Sequence, residues 1–373
     1  MQHSPELLQQ IGEAFNLPGV FHSAEPYGSG HINDTYKACW MEEQTPRLYI
    51  HQRINHLVFK DPVRLMDNIE RVTSHQRKKL LARPGAQPER EALSVIPARD
   101  GRPFFQDDQG NFWRTYIFIT KARTYDVCRD LNMARESARA FGQFQADLAD
   151  LNGKRLHDTI PWFHHTPKRF EALENAIERD PHNRAVGIRP EIDFCLKHKP
   201  IASKLTDLIE RGIMPERITH NDTKINNVMI DDDSGRGICV IDLDTVMVGC
   251  VLYDFGDMVR SVTRTSAEDE PDLNRVSMDP AMFEALAAGY LESAGAFLQP
   301  VEIDNMAFSG ELITFTIGLR FLTDHLLGDT YFKIHRPGHN LDRARVQFKL
   351  VAELEREHDR LQKIVEQYAN LCR

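Results

Sequence analysis

The sequence predicts an α+β protein of two lobes, a small antiparallel sheet in residues 1–119 and a larger, mainly helical lobe in residues 120–373. Two observations carry this. Before about Lys121, alternating apolar segments are separated by Gly- and Pro-rich turns, the pattern of short strands. Beyond it, apolar residues recur at helical spacing over long stretches, broken only by a strand-rich interval from Ile218 to Val248. The crossing between lobes is expected near 117–124.

Ser4-Pro5-Glu6 opens the first helix with a capping hydroxyl, a proline in the first turn and an early acid. Tyr36, Ala38 and Trp40 alternate as on a strand, and Leu48 to Ile54 reads as the next. Val63 to Leu81 is a helix, broken by Arg83-Pro84-Gly85. Ser94–Pro97 and Asn111–Ile119 are further strands. Ala134, Ala138, Phe141, Phe144, Leu148 and Leu151 mark one face of a helix. Thr265 to Pro280 is polar and acidic, hence a surface loop, and Leu341 to Leu371 is one long helix. Leu354, Leu361 and Tyr368 stand seven apart on it, but a few heptads favour packing on its own lobe over a coiled coil.

The 55 acidic against 46 basic residues leave a net charge of −9, which argues against a large nucleic-acid footprint. The six cysteines form no C-x-x-C pair, so a disulfide scaffold and a structural zinc site are poor readings. The N-terminus has no basic start leading into an apolar run, and no apolar stretch has the length of a membrane span. A cytoplasmic protein without nucleic-acid, membrane or obligate protein partners is expected.

The chemistry is concentrated between Ile218 and Ile241. His220-Asn221-Asp222-Thr223-Lys224-Ile225-Asn226-Asn227 is a polar loop entering the strand Val228–Ile230, and a turn at Asp231–Gly235 returns Ile238–Ile241 alongside it. The hairpin brings Asp242 back beside Asp222 and Asn227. That cluster offers one carboxylate free for proton transfer, an amide and a carboxylate suited to a hard cation, and an ammonium for phosphate oxygens. Upstream, Gly28-Ser29-Gly30 between two strands suits a loop whose N–H groups cover phosphates. Arg53 is the cation nearest the expected phosphate-pairing position, with Asp67 or Glu70 as its acidic partner.

His220-x-Asp222-x-x-x-x-Asn227 resembles the catalytic loop of protein kinases. The absence of an A-P-E segment, and Ile241-Asp242 in the D-F-G role, make it more similar to the aminoglycoside phosphotransferase and choline kinase group of small-molecule kinases. Gly28 to Thr35, Gln52 to Asn55, His220 to Met229, Ile241 to Val246, Asp254 to Ser261 and Arg320 to His325 resemble, in order, the N-acetylhexosamine 1-kinases within that group. The resemblance implies a bilobal protein-kinase-like fold and transfer of phosphate from ATP to the anomeric hydroxyl of N-acetylglucosamine or N-acetylgalactosamine. It implies Asp222 as the base and Asn227 and Asp242 as ligands of Mg2+. Gly28, Gly30, Arg53 and Lys224 are the nucleotide contacts, and Asp244, Arg320 and Tyr331 are candidate substrate contacts.

Blander readings stand beside these. Lys224 can be a solvated surface lysine, and Arg320 and Asp324 can be an internal i, i+4 ion pair. Asp244 can be a metal ligand or a carboxylate behind one, and Asp254 of the literal Asp254-Phe255-Gly256 reads as a structural residue or helix cap. His164-His165 lacks a metal-binding pattern, and Phe141, Phe144 and Trp162 read as core. Another kinase acceptor (an amino sugar, aminoglycoside or amino alcohol) is the nearest rival; a metal-dependent phosphohydrolase and a pseudokinase are more distant ones.

Overall fold

The computed structural model describes residues 3–28, 30 and 32–372. α1 (Pro5–Glu13) is capped by Ser4, whose hydroxyl accepts from Leu7 N. It leads into β1 (Val20–Pro26), β2 (Asp34–Glu42) and β3 (Thr45–Ile54). α2 (Pro62–Leu81) follows, capped by Asp61. After the short α3 (Pro88–Glu91) come β4 (Val95–Ile96), β5 (Phe105–Gln106) and β6 (Phe112–Ile117). These six strands form one antiparallel sheet in the order β1-β2-β3-β6-β4, with β5 also on β6.

The sheet separates two environments. Trp113 and Tyr36 face α1 and pack with Leu8, Ile11 and Phe15. Ile54, Phe59 and Tyr116 belong instead to the large core that continues through the helical part. Because side chains alternate along a strand, each strand contributes to both.

The chain leaves the sheet after Ile117, and Phe118 N still donates to Leu48 O at 3.0 Å. β7 (Ala122–Arg123) then pairs with β9 of the helical part, so the crossing occupies residues 118–121. There α4 (Leu131–Leu148), α5 (Thr166–Arg179), α6 (Arg189–His198) and α7 (Lys204–Glu210) precede β8 (Arg217–Thr219). β9 (Val228–Asp231) and β10 (Gly237–Val240) form the expected hairpin, and β11 (Met247–Gly249) pairs with β8. α8 (Val251–Val262), α9 (Pro280–Ala294), α10 (Pro300–Ile303), α11 (Met306–Leu326) and α12 (His339–Leu371) complete the fold. Phe141 and Phe144 are buried as expected, and so are Leu354 and Leu361, which seat α12 in its own lobe.

Trp162 corrects the sequence reading. It is 59% exposed and adopts φ 58°, a left-handed backbone that bulky residues rarely take. The acidic segment after Thr265 is a loop as expected, yet Glu268 folds back to accept from Arg260 Nη1 at 3.0 Å.

Two histidines are buried without charge. His51 Nδ1 meets Thr115 Oγ1 at 2.8 Å in the sheet, and His164 Nε2 donates to Asn221 O at 2.8 Å. Burial pulls each from the ordinary 6.5 down to about 4. An imidazole depressed on folding contributes stability above its unfolded pKa that is lost as pH falls toward its folded pKa. From pH 7 to 4 the wild type should therefore lose up to about 3 kcal/mol relative to a His51→Asn variant, which keeps a donor for Thr115 but cannot titrate. Urea unfolding of both proteins across that range measures the difference; parallel pH curves would mean that His51 does not supply it.

Candidate active site

The loop from His220 to Asn227 is fixed from beneath by one carboxylate. Asp254, fully buried on α8, accepts from His220 N at 2.8 Å, from Asn221 N at 2.6 Å and from Gln145 Nε2 at 2.6 Å. Asn221 needs this hold, because its φ of 67° is left-handed. Thr223 Oγ1 donates to Asp254 O at 2.6 Å, and Thr223 N donates to Asp257 at 3.0 Å. Asp254 is thus the structural residue of the two readings and not a cap, since it sits inside α8.

His220 sets the distance to the return strand. Its Nε2 donates to Ile241 O at 2.9 Å, its Nδ1 accepts from Asp222 N at 3.3 Å, and its ring lies between Phe141 and Phe144. Ile241 N donates to Asn227 O at 2.9 Å. The turn that follows places Asp242 at φ 59°, another left-handed residue. Thr245 Oγ1 closes the turn by donating to His220 O at 2.7 Å.

Three carboxylates meet here in three different states. Asp222 lies 3.1 Å from Lys224 Nζ and accepts from Asn227 Nδ2 at 3.1 Å. Burial alone would raise its pKa, but Lys224, with His220 and Arg260 behind it, outweighs burial and holds the carboxyl below the usual range. Lys224 is raised by Asp222 in turn. Asp244 is buried and ion-paired with Arg114, itself 1% exposed. Asp242 is exposed to the cleft. Its pKa is pushed up to about 7, first by desolvation at the cleft floor and then by the like charges of Asp244 and Asp222. Since the side chain stays open to water, the like charges are the part that a bound cation would relieve.

This donor set fits magnesium. Asp242 offers an open carboxylate, and Asn227, whose Nδ2 is spent on Asp222 O and Oδ2, has its amide oxygen available. Among the described residues no group of three or more His, Cys, Asp or Glu side chains is placed to hold a metal by itself. A cation here would complete its shell with water and phosphate oxygens, as magnesium commonly does.

The sheet meets this floor through a relay that sequence reasoning missed. Gln52 Nε2 donates to Thr35 Oγ1 at 2.8 Å, and Gln52 Oε1 accepts from Arg114 Nε and Nη2 at 2.9 and 2.6 Å. Arg114 reaches Asp244, and Asn33 Nδ2 donates to the other Asp244 oxygen at 2.6 Å. Its only sequence signal was a charge in the middle of the apolar strand Phe112–Ile117. Arg53 does not join this cluster. One residue along β3 from Gln52, it faces the other side of the sheet and pairs with Asp34 at 2.5 Å, while Asp67 pairs with Arg71 and His157 on α2's own side. Gly28 takes φ 81°, and open space surrounds both Gly28 and Gly30; Ser29 and His31 lie outside the described residues. Asp244 faces Arg114 and Asn33, so its carboxylate is engaged within the protein.

Arg320 and Tyr331 do come together, Arg320 Nη2 donating to the Tyr331 hydroxyl at 3.3 Å. The guanidinium carbon lies 5.0–5.6 Å from the rings of Phe163, Tyr331 and Phe332. Asp324 is not its partner: it accepts from the backbone N–H groups of Thr330, Tyr331 and Phe332 at 2.8–2.9 Å and from Asn340. Phe163 precedes His164, whose bond to Asn221 O joins this nest to the Asp222 loop.

Residues 55–299 match the phosphotransferase enzyme family APH. In fold the chain is similar to a microcompartment-associated aminopropanol kinase, at 17% identity over 96% of this chain and 98% of that one, TM-score 0.55. It is similar to choline kinase from Cryptosporidium parvum at 14% identity over 98% and 99%, TM-score 0.59. Spectinomycin phosphotransferase in complex with ADP and spectinomycin aligns at 13% identity over 96% and 99%, TM-score 0.53.

Removing the anchor should be costly. Asp254→Ala leaves the His220 and Asn221 N–H groups buried without acceptors, at about 1–3 kcal/mol each. Chemical denaturation should show a loss of about 3 kcal/mol or more; a loss below about 1 kcal/mol would mean that other groups satisfy those donors. The match over 245 residues, on a fold with this loop, hairpin and cleft, places the chain in the APH phosphotransferase enzyme family.

Proposed function

We propose that the protein is an ATP-dependent kinase acting on the anomeric hydroxyl of an N-acetylhexosamine, with Mg2+ as cofactor. The observation that carries this reading is the position of Asp222. Its ionised carboxylate faces Lys224 and acts on the open Asp242, and the neighbouring Asn221 carbonyl is bonded by His164, next to the Phe163 ring that Arg320 covers. One end has the donors a nucleotide–metal pair requires, and the other has hydrogen-bond donors and aromatic faces suited to a sugar ring.

In this reading Asp222 accepts the proton of the attacking hydroxyl, and Lys224, 3.1 Å away, holds that carboxylate ionised. Asp242 and Asn227 would hold Mg2+, which when bound would neutralise charge on the phosphate oxygens. Gly28 and Gly30, with open space beside them, would leave room for the phosphates. The ADP complex of the spectinomycin enzyme supports ATP as donor. Arg53, engaged with Asp34, is replaced in this reading by Arg114, which acts on the site through Asp244. Six free cysteines agree with a cytoplasmic setting.

The acceptor atom follows from chemistry. A hemiacetal hydroxyl is more acidic than the other sugar hydroxyls, so a carboxylate base of low pKa is matched to it. The named structural neighbours act on amino alcohols and aminoglycosides, and such an acceptor is the rival reading.

Asp222→Asn should lower kcat by about 10²–10⁴-fold with little change in ATP affinity. Coupled ADP release and nucleotide titration measure the two quantities; more than about a tenth of the activity remaining falls outside that range and moves the base elsewhere. The methyl glycoside of the same sugar should bind as an inhibitor without being phosphorylated. Phosphorus NMR of the product should show coupling to the anomeric proton; phosphate at C6, or turnover of the methyl glycoside, would overturn the 1-kinase assignment.

A further inference from the structure

The acidic segment after α8 is pinned at two consecutive residues. Asp269 O accepts from Arg336 Nη2 at 3.1 Å, and its carboxylate lies 3.1 Å from His339 Nε2 at the start of α12. Glu268, beside it, faces three guanidinium groups: Arg260 Nη1 at 3.0 Å, and Arg264 Nη1 and Arg343 Nε at 3.9 Å each. Desolvation alone would raise the Glu268 pKa, but Arg260, Arg264 and Arg343 outweigh it and hold the carboxyl below the usual range.

Neutralising Arg260 does not account for Glu268. Arg260 already has Asp257, to which its Nε donates at 2.8 Å with Nη2 equally close. Arg264 and Arg343 have no other acid within ion-pairing distance among the described residues, and their Nη1 and Nε atoms are buried without a hydrogen bond. Glu268 is their counter-charge, and removing it leaves partly buried cations facing one another. Arg343 bears on the acceptor end. Its Nη1 donates to Lys333 O and Asn340 Oδ1, both at 3.2 Å, and its guanidinium covers Phe321, whose ring packs on Phe332 at 4.7 Å. Phe332 and Lys333 directly follow Tyr331. In the other direction the second Asp257 oxygen accepts from Thr223 N at 3.0 Å, next to Asp222. Polar contacts thus run from Thr223 through Asp257, Arg260, Glu268 and Arg343 to Lys333.

We infer that Glu268 is a positioning residue for phosphoryl transfer, tying the loop of Asp222 to the segment of Tyr331 through Arg260 and Arg343. The inference rests on the acceptor end assigned above and adds what sets its distance from the base. The accepted hydroxyl must lie within hydrogen-bond reach of Asp222, and a shift of about 1 Å between reacting groups costs up to about 10²-fold in rate. α8 carries one side of that distance and α12 the other, and the Glu268 carboxylate is where they meet.

Glu268→Gln keeps an acceptor for Arg260 and removes the charge that Arg264 and Arg343 need. Its kcat should fall about tenfold or more, with ADP affinity, read by calorimetric titration, unchanged. Arg343→Gln should lose a similar amount, and the double variant no more than either alone, because both singles break one link. Hydrogen exchange needs no acceptor: in Glu268→Gln it should quicken in residues 220–227 and in 330–333 together. Unchanged kcat, losses that multiply in the double variant, or exchange quickened only within 265–280 would overturn the inference. A fall in ADP affinity parallel to kcat would mark a lesion of the whole fold and overturn it too. If the wild type turns over choline or aminopropanol and no sugar, the 1-kinase reading fails, and the kcat comparison is made on that acceptor.

Discussion

The Asp254 carboxylate is the contact on which the rest of the site depends. Two consecutive backbone N–H groups, those of His220 and Asn221, converge on one buried side chain, and that convergence fixes the direction in which the loop leaves β8. The left-handed Asn221 follows from it, and so does the placement of His220 between Phe141 and Phe144. His220 in turn sets the separation from Ile241, which determines how far Asp242 stands from Asp222. Gln145 from α4 completes the set and is itself bonded by the Tyr290 hydroxyl of α9. Three helices are thereby committed to one loop, which gives that loop the stiffness of the core.

A second constraint couples the sheet to that floor. Arg114 is buried, and a buried guanidinium without a partner is costly. Gln52 and Asp244 supply its acceptors from β3 and from the turn after Asp242. Asn33 adds a bond from the segment between β1 and β2 to the same carboxylate, and Asn55 N holds Asn33 in turn at 2.9 Å. The chain Thr35–Gln52–Arg114–Asp244–Asn33 closes a ring of polar contacts between the segment joining β1 to β2 and the turn that carries Asp242. On the other side, Asn68 of α2 donates to Val246 O at 3.0 Å, so helix and sheet both grip the segment that carries Asp242 and Asp244.

Much of this was legible in the sequence because local rules coincide with the fold. Ser4-Pro5, the alternation in β2 and β3, and the apolar face of α4 each announce their element, and the spacing from Asp222 to Asn227 to Asp242 was readable because a hairpin of fixed length joins them. What was missed depends on which face a residue takes. Gln52 and Arg53 are neighbours, and only the pairing of β3 with β6 decides that Gln52 faces the cleft and Arg53 faces α1. Trp162 was read as core because tryptophan is apolar, but a positive φ turns the chain there and leaves the ring outside. Asp324 and Arg320 had ion-pair spacing, yet the turn at 330–332 offered three N–H groups, a better partner for a carboxylate than one half-exposed guanidinium.

The carboxylates at the floor of the cleft are unequally answered. At the floor stand three carboxylates. Asp222 is answered by Lys224 and Asp244 by Arg114, and Asp242 alone faces open solvent. The unanswered charge there is negative, and the Asn227 amide oxygen beside the loop is also left without a donor. Arg320 is held in another way, by the Tyr331 hydroxyl and by the rings of Phe163, Tyr331 and Phe332, with Asp324 committed to the backbone of 330–332. One region is thus organised by charge and the other by directional hydrogen bonds and ring contacts, the kind of control that fixes orientation.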